Sequence, residues 1–145
     1  MTVHLLKLCV GISHIDQLVE SQQRRVIQSS ARGEGAILRH ITRNVPRRAE
    51  ELTRGGSIYW IIRGHISVRQ AITGVETAVT AEGKAACALV LEANLVRVIL
   101  RRHRAFQGWR YLELGDVPPD SLEELDGIDA LPEGLAEELR GLGLI

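Results

Sequence analysis

The run of residues 57–62, Ser-Ile-Tyr-Trp-Ile-Ile, constrains the fold of this chain more than any other segment. β-Branched and aromatic side chains favour extended structure, and successive side chains of a strand point to opposite faces of its sheet. Ile58 and Trp60 then share one face. Tyr59 and Ile61 share the other. Because both faces are apolar, we predict a central strand that is covered by protein on both sides.

The remaining hydrophobic pattern predicts strands that cluster in the middle of the chain, with few helices between them. No regular helix separates each pair of strands, which argues against a doubly wound parallel sheet. We therefore predict an α+β fold, either a mixed sheet or a partly closed barrel with peripheral helices. Strands are expected over residues 3–10, 37–45, 57–62, 66–72, 85–91, 95–100 and 106–112, and helices over residues 14–28 and 46–54 and after Pro132.

Length and composition predict a single core, while charge divides the chain in two. The chain has 145 residues, 45% hydrophobic and 25% charged, which are ordinary values for one globular domain. Residues 1–111 carry 17 Lys and Arg against 8 Asp and Glu, whereas residues 112–145 carry 1 against 10. We predict a core domain over residues 1–116 and a short acidic helical appendage over residues 117–145, packed on that core.

Several classes of protein are disfavoured by the motifs that this sequence lacks. Cys9 and Cys87 lie in apolar segments without paired spacing and are interpreted as buried thiols. No apolar run approaches the ~20 residues of a membrane span, and the apolar run near the N-terminus is too short for a secretory signal, so a cytoplasmic protein without a membrane partner is expected. The histidines show no metal-binding spacing, and no cofactor is expected.

Arginine accounts for all but two of the 18 basic residues, and one group of arginines surrounds Pro46. Arg43, Arg47 and Arg48 lie at the start of the predicted second helix. Cations are disfavoured at a helix N-terminus, whereas phosphate is favoured there by unpaired backbone N–H groups and by guanidinium forks. We predict an anion site at this point. The alternative is that these arginines extend into water or pair with neighbouring acids.

A second group interleaves arginines with aromatic rings over residues 101–111. Arginines suit phosphates, rings suit base stacking, and a glutamine suits the edge of a base, so this pattern favours RNA or a nucleotide-like anion. The alternative is an edge strand with a solvated basic flank and inward-packed rings. The full set of candidate ligand-binding residues is Arg43, Arg47, Arg48, Tyr59, Trp60, Arg69, Arg101, Arg102, Arg104, Gln107, Trp109 and Arg110.

Three blocks of the sequence carry a resemblance to a known family. Residues 4–11, the pair Arg47-Arg48 with residues 55–60, and residues 104–112 resemble an uncharacterised bacterial family, domain of unknown function 1489. The resemblance covers essentially the whole chain and implies a cytoplasmic location and a domain boundary, but no activity. A weaker topological similarity is to PUA-like pseudo-barrels, which include RNA-binding modules. There a short helix and a Gly-rich turn precede a hydrophobic strand, as residues 48–62 do here, although the turn lacks their usual acidic residue.

Three functions follow as hypotheses. The preferred one is a module that binds RNA or a nucleotide-like anion. The second is a small enzyme acting on a phosphorylated or nucleotide-derived substrate, with His40 or His65 as its acid or base. The third is a self-associating protein whose basic body and acidic tail mediate homo-oligomerisation. A tail folded over the arginines would neutralise them, and RNA would then compete with it.

Overall fold

A computed structural model describes residues 2–33, 35 and 37–121 of the chain. The greater part of the predicted acidic appendage, from residue 122 onward, lies outside the described residues. No helix in the described part is long and apolar enough to cross a membrane. The elements are, in order, β1 (Val3–Leu8), α1 (Ile15–Ala31), β2 (Leu38–Thr42), α2 (Ala49–Leu52), β3 (Ser57–Ile62), β4 (His65–Val79), β5 (Ala85–Arg102), β6 (Trp109–Glu113) and the 3₁₀ turn Leu114–Asp116.

The six strands form one mixed sheet in the order β2-β5-β4-β3-β1-β6. β1 and β3 are parallel, and every other neighbouring pair is antiparallel. The connection from β1 to β3 runs through α1, β2 and α2, as a parallel pair requires. The sheet is open, so the predicted α+β class with a mixed sheet is confirmed.

β3 is the buried centre of this sheet, as its sequence predicted. All six of its residues are buried. Ile58 and Trp60 belong to a core cluster that includes Leu18 of α1. Tyr59 and Ile61 belong to a second cluster on the opposite face. Both faces of the sheet are therefore packed against other parts of the chain.

The two longest strands extend well beyond their predicted bounds. β4 covers 15 residues and β5 covers 18, where three shorter strands were predicted. The backbones of β4 and β5 pair with each other along most of this length. This pairing keeps the chain extended even where polar residues interrupt the hydrophobic pattern. The register of the β4–β5 pairing shifts at several places, including Gln70/Ile72. Such shifts are β-bulges, which bend a strand.

The chain returns across the second face after β6 and reaches the far part of β5. Residues 117–121, here called the strap, form a bridge between Asp120 and Val98. The amide of Ile99 donates to the Pro119 carbonyl at 2.9 Å. Asp120 also accepts two hydrogen bonds from Arg69, at 2.7 and 2.8 Å. Backbone and side-chain hydrogen bonds thus hold the strap against β4 and β5.

A buried amide joins α1 to three strands. Gln70 is 0% exposed. Its Oε1 accepts from the Trp60 indole at 3.1 Å and from Gln22 at 3.0 Å. Its Nε2 donates to the side-chain Oε1 of Gln22 at 2.9 Å and to the backbone carbonyl of Glu92 at 2.7 Å. Both lone pairs and both hydrogens of the Gln70 amide are therefore used, the full capacity of such a group.

The substitution Gln70→Leu, which keeps the side-chain volume, is expected to lower the free energy of unfolding by about 3 kcal/mol or more. It leaves the Trp60 indole and the Gln22 amide buried without their partner, and each such group costs about 1–3 kcal/mol. Urea denaturation measures the loss. Gln23→Leu, at an exposed position of α1, is the matched control and should change stability little. Equal effects of the two substitutions would contradict the role given to this amide.

Candidate functional site

One end of the sheet gathers arginines from three segments: the β3–β4 turn, the end of β5 and the β5–β6 connection with the start of β6. His65 pairs with Arg102 in the β4–β5 ladder, and the amide of His103 donates to the Gly64 carbonyl at 2.9 Å. The turn therefore lies directly beside the end of β5. We call the resulting group the basic end; its members are Arg63, Arg101, Arg102, Arg104 and Arg110.

The tip of the β3–β4 hairpin holds an arginine in a strained conformation. Arg63 has φ of 52° and Gly64 has φ of 78°. A two-residue turn with both residues at positive φ matches the twist of the flanking strands, and Asn-Gly is its usual sequence. A long side chain in this conformation costs about 1–2 kcal/mol. Arg63 therefore sits at a position where turn propensity alone would not select arginine.

Within the part of the chain that the structure describes, the arginines of the basic end form no ion pairs. Arg63, Arg102 and Arg104 are exposed and form no ion pair with any described residue. Arg101 donates to the backbone carbonyl of Asp116 at 2.7 Å. The Arg110 guanidinium lies 4.2 Å from the centroid of the Phe106 ring. Such a cluster concentrates positive potential even in a chain of zero net charge.

Two other predicted arginines are neutralised inside the molecule. Arg48 donates to Glu51 at 2.7 and 3.0 Å and to Glu113 at 2.8 Å. Arg69 is held by the Asp120 carboxylate of the strap. These hydrogen bonds raise the pKa of both guanidinium groups and lower the pKa of Glu51 and Asp120. Both side chains therefore have partners that an external anion would have to displace.

The surroundings of Pro46 differ from the prediction. α2 has only four residues and begins after Arg48, so Arg47 and Arg48 do not lie in the first turn of a helix. The amide of Arg48 donates instead to the Tyr111 hydroxyl at 3.0 Å. Arg43 and Arg47 are exposed and form no ion pair within the described residues. The second helix thus begins three residues later than predicted, with Arg48 as its N-cap residue.

The predicted aromatic residues are mostly packed inward. Tyr59 and Trp60 are each 3% exposed and lie on opposite faces of β3. Trp109 packs on Tyr111 with ring centroids 5.0 Å apart, and its indole donates to a backbone carbonyl. Gln107 is exposed beside the β6 edge. Phe106, half-buried under Arg110, is the ring that lies at the basic end.

A second cationic site, not predicted from the sequence, is a cleft between α1 and the sheet. Its volume is about 120 Å³. No carboxylate lines it among the described residues. The signal was present in β1, where alternation places Lys7 on the same face as the buried Val3 and Leu5. The polar and aromatic side chains around the cleft are Lys7, Ser21, Gln22, Arg25, His40 and Trp60.

The cleft exists because the sheet curls. β2 and β3 are three strands apart, which is about 14 Å in a flat sheet. Yet the ring of His40 on β2 lies edge-on to the ring of Trp60 on β3, with centroids 5.1 Å apart. Lys7 is the register partner of Trp60, and Arg25 reaches over from α1 to donate to the Arg39 carbonyl at 3.0 Å.

The groups around the cleft titrate unusually. Burial, and after it the charges of Lys7 and Arg25, together lower the pKa of His40 to about 4. Burial also lowers the pKa of Lys7 and raises the pKa of the Cys9 thiol to about 11. His40 is therefore neutral at pH 7, and its buried Nε2 has no hydrogen-bond partner among the described residues.

The two candidate histidines lie apart, and no described carboxylate accompanies either as a hydrogen-bond partner. His40 borders the cleft, whereas His65 lies at the basic end with its Nδ1 3.2 Å from the Arg63 carbonyl oxygen. Within the described ranges no group of three or more His, Cys, Asp or Glu side chains could hold a metal ion.

The lowered pKa of His40 makes stability depend on pH. The unfolded chain binds a proton near pH 6.5 and the folded chain only near pH 4, so stability is complete above pH 6.5 and falls as the pH drops. Between pH 7 and pH 5 the loss from His40 is expected to be roughly 2 kcal/mol. Urea denaturation at both pH values measures it. Burial, and then Arg69, also lowers the pKa of His4, so the wild type should lose more. His40→Gln should therefore remove only part of the loss, and an unchanged loss would contradict this assignment.

Comparisons with known proteins identify a family but no activity. The model of a family described as "Protein of unknown function (DUF1489)" matches residues 5–145 of this chain. Searches of curated proteins and of solved structures found no match.

Proposed function

The chain belongs to the DUF1489 family, and we propose that it binds single-stranded RNA through the basic end of its sheet. One observation carries this proposal: the β3–β4 turn, the end of β5 and the start of the β5–β6 connection bring Arg63, Arg102 and Arg104 together without a carboxylate partner among the described residues. Guanidinium groups bind phosphates with two parallel hydrogen bonds, and their binding releases counterions from the nucleic acid.

The geometry favours single strands over a duplex. A hairpin tip with an adjacent aromatic ring offers a phosphate track and one stacking platform, which is how unpaired bases are commonly held. Arg110 already lies over Phe106, so a base would stack on this cation–π pair or take the place of the guanidinium. The same proposal includes the cytoplasmic location expected for an RNA-binding protein.

We include in this proposal the hypothesis that the topology of the chain is similar to that of PUA-like pseudo-barrels. Its support is the curl of the sheet, which brings His40 of β2 against Trp60 of β3. The strap adds to it, because it links the β6 side of the sheet to β5 across the second face. Because the sheet is open, the similarity is supported by the curvature of the sheet and not by the closure of a barrel.

The enzyme and self-association hypotheses draw less support. Acid or base catalysis by His40 or His65 would be favoured by a convergent carboxylate, and the described lining of the cleft supplies none. The strap uses Asp120 to pair with Arg69 of its own chain, so this acid is engaged internally. Neither hypothesis has an observation comparable to the convergence of arginines at the basic end.

Salt-dependent binding of a short single-stranded RNA tests the proposal. Fluorescence anisotropy should show an affinity that falls steeply with salt. The triple variant Arg63→Gln, Arg102→Gln, Arg104→Gln should lose about tenfold or more in affinity at low salt. A plot of logarithmic affinity against logarithmic salt concentration has a negative slope. In the triple variant this slope should be less steep by about two, since each phosphate contact contributes about −0.7 for single strands.

The matched control is the triple variant Arg43→Gln, Arg47→Gln, Arg54→Gln, which removes the same charge from exposed positions elsewhere. It should bind almost as the wild type does. Equal losses in both triples would show a diffuse charge effect, and no binding by the wild type at low salt would refute the proposal. Duplex RNA and duplex DNA serve as comparators, and a preference for either would refute the single-strand assignment.

Arg63→Asn separates the binding role of this residue from its structural one. Asparagine tolerates positive φ and suits the first position of this turn, so the free energy of unfolding should rise by about 1 kcal/mol while RNA affinity falls. Arg104→Asn lies outside the turn and should weaken binding without a gain in stability. Thermal denaturation and anisotropy measure the two effects. An Arg63→Asn protein that is more stable and binds RNA as before would contradict a functional role for Arg63.

A further inference from the structure

The cleft between α1 and the curled sheet concentrates positive charge where water access is reduced. Lys7 approaches it from β1 and Arg25 from α1. Lys7 is partly desolvated, as its lowered pKa indicates, and no carboxylate among the described lining residues offsets its charge or that of the exposed Arg25. Two like charges around one cleft are unfavourable for the folded state. After burial, the charges of Lys7 and Arg25 are the causes that lower the pKa of His40, a residue that lines the cleft. An anion placed between them would be stabilised by both.

The donors around the cleft suit an oxyanion. Lys7 supplies an ammonium group, and the Arg25 bond to the Arg39 carbonyl uses one of its five N–H donors. Neutral His40 lines the cleft and carries one N–H. Ser21 adds a hydroxyl from α1. Trp60, fixed by its bond to Gln70, forms an apolar wall.

The size of the cleft limits what it can hold. Its volume of about 120 Å³ is several times the ~10–15 Å³ that one water molecule requires. It is well below the ~300–1,000 Å³ of pockets that enclose a whole drug-sized molecule. A single tetrahedral anion fits this range. A complete nucleotide would have to leave its sugar and base outside.

We propose that this cleft is a binding site for the phosphate group of a monoester, held by Lys7 and Arg25 with His40 and Ser21 as neutral donors. A phosphate monoester carries close to two negative charges at neutral pH, because its second pKa is about 6, and this matches the two cations. A carboxylate would carry only one. Inorganic phosphate, a nucleoside 5′-monophosphate and the 5′-phosphorylated end of an RNA share this chemistry.

The cleft lies at the same end of the sheet as the basic end. The two proposals nevertheless do not depend on each other. Leu8, next to Lys7 in β1, pairs with Ile61, two residues before Arg63. The amide of Cys9 continues this pairing by donating to the Ile61 carbonyl at 3.0 Å. The cleft and the hairpin tip are thus at the same end of the sheet. A strand of RNA that ends in a phosphate could reach both.

Isothermal titration with inorganic phosphate tests the site directly. The wild type should bind at millimolar phosphate or below, and Arg25→Gln should weaken binding about tenfold or more, as the loss of a charge-assisted hydrogen bond implies. Arg24→Gln removes the same charge from the adjacent residue of α1, which does not line the cleft, and should leave binding within about twofold of the wild type. Lys7→Met tests the second cation. Arg25 is exposed, so the test stands even if Lys7→Met fails to fold.

The pKa of His40 reports whether phosphate enters the cleft, because phosphate bound elsewhere on the surface should leave it almost unchanged. Lys7 of β1 and Arg25 of α1 are the charged groups that lower its pKa, and the protonated Cys9 thiol and Trp60 are its other neighbours in the cleft. Bound phosphate should raise the pKa of His40, measured by NMR of the imidazole, in the wild type and in Arg24→Gln. Wild-type protein without binding heat at millimolar phosphate, or with an unchanged His40 titration on binding, would overturn the site.

Comparison of ligands identifies the source of the phosphate. Inorganic phosphate, adenosine 5′-monophosphate, and one short RNA with and without a 5′-phosphate form the series. Tighter binding of the phosphorylated RNA alone would assign the cleft to RNA ends. Equal binding of all phosphate-bearing ligands would assign it to the phosphate group itself, and equal binding of the two RNAs, with no phosphate binding, would refute it. The basic-end triple variant should still bind phosphate, so failure of the RNA proposal would be distinguishable.

Discussion

The rest of the structure depends on the buried Gln70 amide. Its four hydrogen bonds join Gln22 of α1, Trp60 of β3 and the backbone of Glu92 in β5, and none of its capacity is left unused. An amide buried in this way is costly unless every bond is made, so its partners are held in one arrangement. That arrangement fixes the distance of α1 from the sheet. It also fixes the Trp60 ring, which forms a wall of the cleft.

The basic end and the cleft both follow from the shape of the sheet. The tight β3–β4 hairpin and the long β4–β5 pairing bring Arg63 beside Arg102, residues that are far apart in sequence. Bulges in the β4–β5 ladder bend the strands, and the resulting curl brings His40 to Trp60. The strap occupies the opposite face and engages Arg69. Of the predicted arginines, Arg48 and Arg69 are therefore engaged inside the molecule, whereas those at the basic end have no carboxylate partner among the described residues.

The sequence predicted what depends on local pattern and missed what depends on distant contacts. The burial of residues 57–62 on both faces follows from their composition, and the structure confirms it. The α+β class followed from the order of elements. The pairing of Arg48 with Glu113 and of Arg69 with Asp120 joins segments that no local pattern connects. The cleft was missed for the same reason, because Lys7, Arg25 and His40 come from three elements. Only the inward position of Lys7 in an apolar strand could have indicated it.

The most direct test of this account is the mapping of backbone amide shifts in ¹⁵N-labelled protein on addition of a short single-stranded RNA bearing a 5′-phosphate. The largest changes are expected on Arg63, Gly64 and residues 102–104. Changes are also expected at Lys7, Arg25 and His40, and these should disappear when the RNA lacks its phosphate. Changes centred on residues 43–47, or no changes at all, would contradict it.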